Sequence, residues 1–205
     1  MTTPVRKLVF LLLLWGAAAA AAGRFHLLVY LPPFIVPVVI ASLMIGFSIS
    51  VARIRWLSAA AASVGVRGIL AAHVIRFLGF YFLWLHSEGR IPVEFAQRAG
   101  WGDVVAAGGA LFLLLWPEGK GFRRAVFWWN IIGAADLLVS VGTAGWLNFV
   151  RPGSVIELSH LPLSLVPLWF VPVLFSSHIY LLRQQIAACR SEEHDGSEVR
   201  SLTSS

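Results

Sequence analysis

Cysteine and charge are both scarce in this chain of 205 residues. A single cysteine, Cys189, excludes an internal disulfide and any metal site built from several thiolates. Charged residues make up 13% of the sequence, whereas they make up about a quarter of an ordinary soluble domain. So few charges leave too little polar surface for a soluble globular protein.

Apolar residues take the place of the missing charge. They make up 58% of the sequence, and the mean hydropathy is +0.79. They fall into six segments, each close to the roughly 20 residues that a helix needs to cross the hydrocarbon core of a membrane. The segments are residues 7–23, 27–51, 68–86, 102–117, 125–147 and 161–182. We therefore predict an all-α bundle of six transmembrane helices, formed by one domain at residues 1–190.

The two ends of the chain carry predictions of their own. Residues 191–205 lack apolar periodicity and are predicted to form a disordered cytoplasmic tail. At the start, Arg6 and Lys7 precede an apolar run and the alanines at residues 20–22, an arrangement that is also typical of a cleaved signal peptide. We expect an uncleaved helix. Cleavage would leave five helices with the same orientation.

Lysine and arginine are distributed unevenly between the predicted loops. If the chain begins in the cytoplasm, eleven lie on the cytoplasmic side, four lie on the outer side and Arg76 lies within a segment, which accounts for all sixteen. Because cytoplasmic loops carry the excess of positive charge, this asymmetry predicts a protein of the bacterial cytoplasmic membrane with both termini inside. No basic stripe with interleaved aromatics is present, so the expected partner is the lipid bilayer and not nucleic acid.

Two charged residues, Arg76 and Asp136, lie near the middle of apolar segments. A charge at the centre of a bilayer costs roughly 2.5–3.5 kcal/mol on insertion scales, so such residues usually face the bundle interior, find a partner and mark a functional site. Their opposite signs predict a direct or water-bridged contact between two helices. A static ion pair that fixes helix packing is the alternative interpretation.

Further polar residues share the faces of these two helices. His73 lies three residues before Arg76, and Ser140 and Thr143 follow Asp136 by four and seven residues, spacings that place them on common faces. We predict an interior ligand-binding site formed by all five residues. The expected ligand is a small polar or amphipathic molecule or a lipid, which the protein binds or passes, alone or as the accessory subunit of a membrane complex.

Histidines support an alternative function, electron transfer by a b-type haem. His73 and His178 lie in the same half of the membrane, and His86 and His160 could form a second pair near the outer boundary. His73 and His86 are about 220° apart around an ideal helix, so they do not share a face. His160 lies at or outside a helix start. We therefore expect no cofactor, with haem ligation by His73 and His178 as the alternative.

A membrane-embedded enzyme that acts on a lipid is a third alternative. Glu94, Asp103, Glu157 and His160 lie on the outer side and could form a hydrolytic or metal site. Their spacing matches no catalytic or metal-binding motif, and Asp103 has a structural explanation as an anion in the first turn of a helix. The sequence therefore predicts no metal ligand and leaves enzymatic activity open.

Two segments share the pattern L-P-x-x-x-V-P, at residues 31–37 and 161–167. Transporter folds are often built from internal repeats whose interrupted helices form the binding site. The pattern indicates either a duplication or a chance match over few positions.

Three short segments resemble those of an uncharacterised group of small bacterial inner-membrane proteins. They are Gly100–Asp103 (GWGD), Trp129–Asp136 (WNIIGAAD) and Ser159–Pro167 (SHLPLSLVP). The similarity extends over residues 66–183. This resemblance implies a multi-pass membrane protein and no particular ligand or reaction.

Overall fold

Long apolar segments fold as helices in a membrane because a helix satisfies its backbone N–H and C=O groups internally, where no water is available to them. The computed structural model of the protein describes the backbone of residues 2–203 and the side chains of residues 2–119, 121–188 and 190. Helices occupy most of this part of the chain, and no strand occurs within it. The predicted all-α fold is therefore confirmed.

The α-helices alternate with short segments of tighter or wider helix. The α-helices are α1 (Thr3–Arg24), α2 (Ile35–Arg53), α3 (Arg55–His73), α4 (Gly79–Ser87), α5 (Val93–Phe95), α6 (Trp101–Leu115), α7 (Lys120–Val150) and α8 (Val171–Thr203). The 3-10 helices are Leu27–Tyr30, Val74–Leu78 and Ile156–Ser159, and the π-helices are Ala96–Gly100 and Val166–Phe170.

Six helical stretches of the described chain are long and apolar enough to cross a membrane. Large apolar side chains cover the outside of the bundle, among them Phe10, Leu115 and Phe149, each more than two thirds exposed. Such an exterior suits contact with lipid. The six stretches indicate a multi-pass membrane protein. Spans one to six are Thr3–Arg24, Ile35–Arg53, Arg55–Ser87, Val93–Leu115, Gly121–Val150 and Val166–Ala188.

Span three begins earlier than predicted and is interrupted twice. α3 bends at Gly65, whose φ of 68° lies in the left-handed region that glycine adopts without strain. After His73 the chain tightens into the 3-10 helix Val74–Leu78, and α4 then continues to Ser87. Arg76 lies within this 3-10 helix, and its side chain points into the bundle.

Span four begins at Val93, nine residues before the predicted start at residue 102. The short helix α5 and the π-helix Ala96–Gly100 run directly into α6. Asp103 does lie in the first turn of α6, as expected, but α6 continues an existing helical stretch. The residue is therefore in the middle of a span and away from a free helix end.

Successive spans are connected at opposite ends of the bundle, as a multi-pass chain requires. We name each end after one of its residues. The His160 end comprises residues 25–34, 88–92 and 151–165, and the Arg67 end comprises Ile54, Arg67 and residues 116–119.

The apolar core is divided along the bundle, and polar residues occupy the space between its parts. One cluster contains Phe82, Phe95 and Leu147 and lies towards the His160 end. Another contains Leu70 and Val126 and lies towards the Arg67 end. Spans one and two are mostly exposed, whereas a third or more of each of the other four is buried. Spans three to six therefore enclose the polar interior.

The predicted disordered tail, residues 191–205, includes the last residues of α8, and its side chains lie outside the described part of the chain. Its disorder stays a prediction. The division of the chain into one domain and a tail stays a prediction as well.

Candidate ligand-binding site

Arg76 lies at the centre of the bundle and is almost fully buried. Each of its three guanidinium nitrogens donates a hydrogen bond: Nε to Asp103 Oδ1 at 2.6 Å, Nη1 to the Gly133 carbonyl at 3.2 Å, and Nη2 to Asp136 Oδ2. These contacts join spans three, four and five. The predicted contact between Arg76 and Asp136 is confirmed, and Asp103 is a third member of what we call the charge cluster.

Asp103 is not predicted as a member of this site, because a segment that starts at residue 102 places it at the membrane boundary. One signal in the sequence points to the correct depth. A helix of residues 102–117 would be about 24 Å long, which is shorter than the roughly 30 Å hydrocarbon core. Extending that helix towards Val93 makes it long enough and moves Asp103 inward.

Glycines allow the charged side chains to come together. A Cβ atom at Gly102 would overlap the carboxylate of Asp136, and a Cβ atom at Gly79 would overlap the carbonyl of Gly100. Small residues at such positions let the backbones of membrane helices approach closely. The G-W-G-D motif therefore combines two close-packing glycines with the second carboxylate of the cluster.

The charge cluster carries more negative than positive charge. Arg76 contributes one cation and Asp103 and Asp136 contribute two carboxylates, a formal charge of −1 when both are ionised. The guanidinium side chain is 1% exposed, whereas each carboxylate side chain is 13% exposed. The cluster therefore presents carboxylate oxygens to its surroundings and encloses the guanidinium.

His73 and His178 form a second buried group beside the charge cluster. Asn130 Nδ2 donates to the His178 carbonyl at 3.0 Å, so Asn130 Oδ1 accepts from His178 Nδ1 at 2.6 Å. The Ser177 hydroxyl donates to the Leu174 carbonyl, so its oxygen accepts from His73 Nε2 at 2.9 Å. Each histidine is thus held in one tautomer by its partner.

The two imidazole rings contact each other, with their centroids 4.3 Å apart. The Trp129 ring lies beside both, at centroid distances of 5.0 and 5.1 Å, and its N–H donates to the Ala106 carbonyl at 2.9 Å. A Cβ atom at Gly133 would lie 2.6 Å from His178 Cε1. The His178 ring therefore packs on the same stretch of backbone that accepts a hydrogen bond from Arg76.

Asn130 is not among the predicted site residues, because on an ideal helix it points away from Asp136. The structure shows that both directions lead into the bundle: Asp136 faces spans three and four, whereas Asn130 faces span six. A long helix with neighbours on several sides buries more than one face. The angle between two residues on α7 is therefore a poor guide to burial.

The five residues predicted to bind a ligand fall into separate places. Arg76 and Asp136 belong to the charge cluster, and His73 belongs to the histidine pair. Ser140 lines a cavity, and its hydroxyl has no hydrogen-bond partner among the described residues. Thr143 accepts a hydrogen bond at 3.4 Å from an arginine of span four. Their role in binding a ligand stays a prediction.

A cavity of about 230 Å³ extends from the charge cluster to the His160 end, between α2, α7 and the start of span six. Its walls are mostly apolar and include Ile40, Leu137 and Val141. Asp103 and Ser140 supply polar groups at its deep end. Ligand sites in proteins are commonly apolar cavities with a few convergent polar groups, so we take this cavity as the candidate site.

Both copies of the L-P-x-x-x-V-P pattern contribute to this cavity. The Val-Pro pairs at residues 36–37 and 166–167 line it from α2 and from span six. Because proline has no N–H, Pro37 leaves the Pro33 carbonyl without a helical donor, and Asn148 Nδ2 donates to that carbonyl at 2.9 Å. The interrupted starts of two helices thus form the wall of one cavity.

The four residues considered for a hydrolytic or metal site do not come together, because each contacts a different part of the chain. The hydrogen bond from Arg90 to Glu157 raises the pKa of Arg90. Within the described residues, no group of three or more His, Cys, Asp or Glu could hold a metal ion. Glu94 pairs with Arg151 at 2.6 Å, Glu157 with Arg90 at 2.7 Å and Asp103 with Arg76 at 2.6 Å, and the His160 ring lies 4.8 Å from the His26 ring.

The second histidine pair considered for haem is also separated. His86 Nδ1 lies 3.2 Å from the Ile91 carbonyl, whereas His160 meets His26. The sequence places His86 and His160 at the same end of the bundle, and the intervening loops direct them to different neighbours.

Residues 33–185 match the family described as "Domain of unknown function (DUF8737)". The match covers well over half of the chain, so the chain belongs to this family. No curated protein and no solved structure matches it. The matched range begins after α1 and contains the charge cluster, the histidine pair and most of the cavity wall. It agrees with the resemblance over residues 66–183 to an uncharacterised group and adds no activity.

Proposed function

We propose that this member of the family binds a small amphipathic molecule in the cavity between α2, α7 and span six. The polar group of the ligand contacts Asp103 and Ser140, and its apolar part lies along the walls. One observation carries this proposal: a mostly apolar cavity is lined by a carboxylate of the charge cluster, Asp103, and by Ser140, whose hydroxyl has no partner among the described residues.

The state of Ser140 supports a polar contact at that end. Its side chain is 9% exposed, and its hydroxyl has no partner among the described residues. A buried polar group without a hydrogen bond costs about 1–3 kcal/mol. A ligand group that binds the hydroxyl would remove this cost, which favours a ligand with a polar head.

The proposed binding can be tested by identifying the molecules that copurify with the protein. Val141→Phe fills the cavity, whereas Leu138→Phe adds an aromatic ring on the exposed face of α7, where Leu138 is 54% exposed. We expect amphipathic molecules to be enriched by mass spectrometry in the wild type and Leu138→Phe, and depleted in Val141→Phe. Equal amounts in all three preparations contradict the proposal.

Passage of the ligand, rather than binding alone, is favoured by a second cavity on the same pair of helices. This cavity has a volume of about 200 Å³, lies towards the Arg67 end and is lined by Ser48 and Val51 of α2 and Ile179 and Arg183 of α8. Apolar side chains close the space between the two cavities. They are Ile40, Met44, Leu137, Val171 and Leu174.

Passage requires the first cavity to open in turn to each side of the membrane. A Ser140→Cys variant in a Cys189→Ser background places a thiol at its deep end. We expect an impermeant thiol reagent to label this position in vesicles of both orientations. Labelling in one orientation alone contradicts passage and leaves binding in place.

We propose that the protein lies in a bacterial cytoplasmic membrane with both termini inside, which places the Arg67 end in the cytoplasm. When the residues that flank the connections are included, the Arg67 end carries six arginines and lysines and the His160 end carries three, and this excess supports the orientation. The six are Arg53, Arg55, Arg67, Lys120, Arg123 and Arg124, and the three are Arg24, Arg90 and Arg151. In the Cys189→Ser background, an impermeant reagent applied to intact cells should label Glu88→Cys and spare Gly121→Cys. The reverse pattern contradicts the orientation.

A further inference from the structure

We infer that the cavity selects a cationic amphipathic molecule, such as one with a protonated amine as its head group, over an anionic molecule of the same size. This inference rests on the proposed function and names the class of its ligand. It follows from which side of the charge cluster the cavity reaches.

The cluster offers its acceptors, and not its guanidinium, to the cavity. The three guanidinium nitrogens of Arg76 donate to Asp103, Asp136 and the Gly133 carbonyl, and its side chain is 1% exposed. Asp103 lines the cavity, whereas Arg76 does not. Arg76 donates a hydrogen bond to Asp103 Oδ1, and no described residue donates to Asp103 Oδ2. At the charge cluster, a ligand in the cavity therefore meets the Asp103 carboxylate and not the Arg76 guanidinium.

The balance of charge at this depth points the same way. When both are ionised, the two carboxylates of the cluster exceed its single guanidinium by one negative charge. Arg98, the cation of span four, donates to Thr143 Oγ1 at 3.4 Å and is not part of the cavity wall. Surrounding apolar walls strengthen the attraction between the remaining charge and a cation, because they exclude water.

Hydrogen-bonding chemistry separates the two kinds of head group. An ammonium group has only donors, whereas a carboxylate head group has only acceptors. Ser140, which is 9% exposed and has no described partner, can serve either. Asp103 in its ionised form can accept and cannot donate. Ser140 and Asp103 can therefore both accept hydrogen bonds from an ammonium group. Ionised Asp103 repels a carboxylate head group.

The test compares three probes of equal chain length: octylamine, octanol and octanoate. Wild-type protein in phosphatidylcholine nanodiscs is titrated with each at neutral pH, and the thermal midpoint is followed against probe concentration. A shift of the thermal midpoint that persists in Val141→Phe is attributed to partition of the probe into lipid, and it is subtracted. We expect octylamine to bind most tightly and octanoate at least about tenfold more weakly, as a charge difference in a partly shielded site implies.

Two variants assign the preference to the cluster. Asp103→Asn removes the excess negative charge and should bring octylamine and octanoate within about threefold of each other, since the cluster is then neutral. Octanol binding shows that this variant retains its cavity. Glu118→Gln, which removes an exposed carboxylate at the Arg67 end, is the matched control and should keep the full preference.

The outcomes separate the inference from the proposed function. Octanoate that binds wild type as tightly as octylamine, with both lost in Val141→Phe, overturns the cationic preference and leaves the binding cavity. Absence of cavity-dependent binding by all three probes contradicts the cavity proposal and the inference together. The wild-type comparison is decisive even if Asp103→Asn does not fold.

Discussion

Arginine pairs with carboxylates in two regions of this protein, at similar distances and in different surroundings. Arg76 lies 2.6 Å from Asp103 in the interior, and Arg151 lies 2.6 Å from Glu94 at the His160 end. The interior guanidinium is 1% exposed, whereas the Arg151 side chain is 48% exposed. Water and salt can replace the partner of an exposed charge and cannot reach a buried one. Distance alone therefore does not show what an ion pair contributes.

The two regions also differ in the number of carboxylates that each arginine contacts. At the His160 end each arginine meets one carboxylate, as in the pair of Arg90 and Glu157. In the interior one arginine meets two carboxylates, and the second carboxylate is not needed to neutralise Arg76. An excess charge inside a membrane protein is costly, and the proposed function assigns it to recognition of a cationic ligand.

Arg76→Leu should be the most damaging single change in the charge cluster. It leaves Asp103 and Asp136 facing each other without a cation, and breaking a buried pair by removing one partner costs about 3–5 kcal/mol. Asp136→Asn should be milder, because Arg76 and Asp103 then form a neutral pair. Thermal midpoints in detergent measure both effects.

A combined variant checks the cause of that loss. Replacing Arg76, Asp103 and Asp136 together by leucine should recover much of the stability lost in Arg76→Leu, because no unpaired charge remains. Losses that simply add up across the three sites would refute the coupling. So would an Asp136→Asn variant as unstable as Arg76→Leu.

Gly102→Ala should have the next largest effect on stability. Its Cβ would overlap the Asp136 carboxylate, and overpacking of this kind typically costs about 1–3 kcal/mol. Gly108 lies on the same helix, and a Cβ atom added there would meet no atom within 4 Å. Gly108→Ala should therefore be neutral or stabilising, by up to about 1 kcal/mol. Equal midpoints for the two variants would show that close packing at Gly102 is unimportant.

Arg90→Ala and Arg151→Ala at the His160 end should shift the thermal midpoint by no more than about 2 °C, because exposed ion pairs contribute little. At high salt, the thermal midpoints of these two variants should lie even closer to that of the wild type. A loss of thermal stability as large as that of Arg76→Leu would contradict the proposed difference between the two regions.

The smallest expected signal is that of haem. We expect no sharp b-type α-band in a reduced-minus-oxidised spectrum of protein expressed with a haem precursor. In the structure the rings of His73 and His178 contact each other, and Asn130 and Ser177 hold one nitrogen of each. A band that disappears in His73→Ala or His178→Ala would support the electron-transfer alternative instead.

Much of the fold follows from the sequence because its cause is local. An apolar stretch of sufficient length becomes a helix in a membrane whatever its neighbours are, so six spans and the central depth of Arg76 and Asp136 can be predicted. Charge in hydrocarbon requires a partner, so the contact between these two residues can be predicted as well. Span boundaries are harder to predict, and the shift of span four to Val93 hid the depth of Asp103.

The sequence by itself determined the all-α class, the six spans and the central ion pair, because hydrophobic length and the cost of buried charge act along a single helix. Only the tertiary structure decided that Asp103 completes the charge cluster, that Asn130 holds His178, and that Ser140 lines a cavity without a partner among the described residues. These features depend on how helices rotate and how closely they approach. Both are decided by packing between residues far apart in the sequence, such as the contact of Gly102 with Asp136.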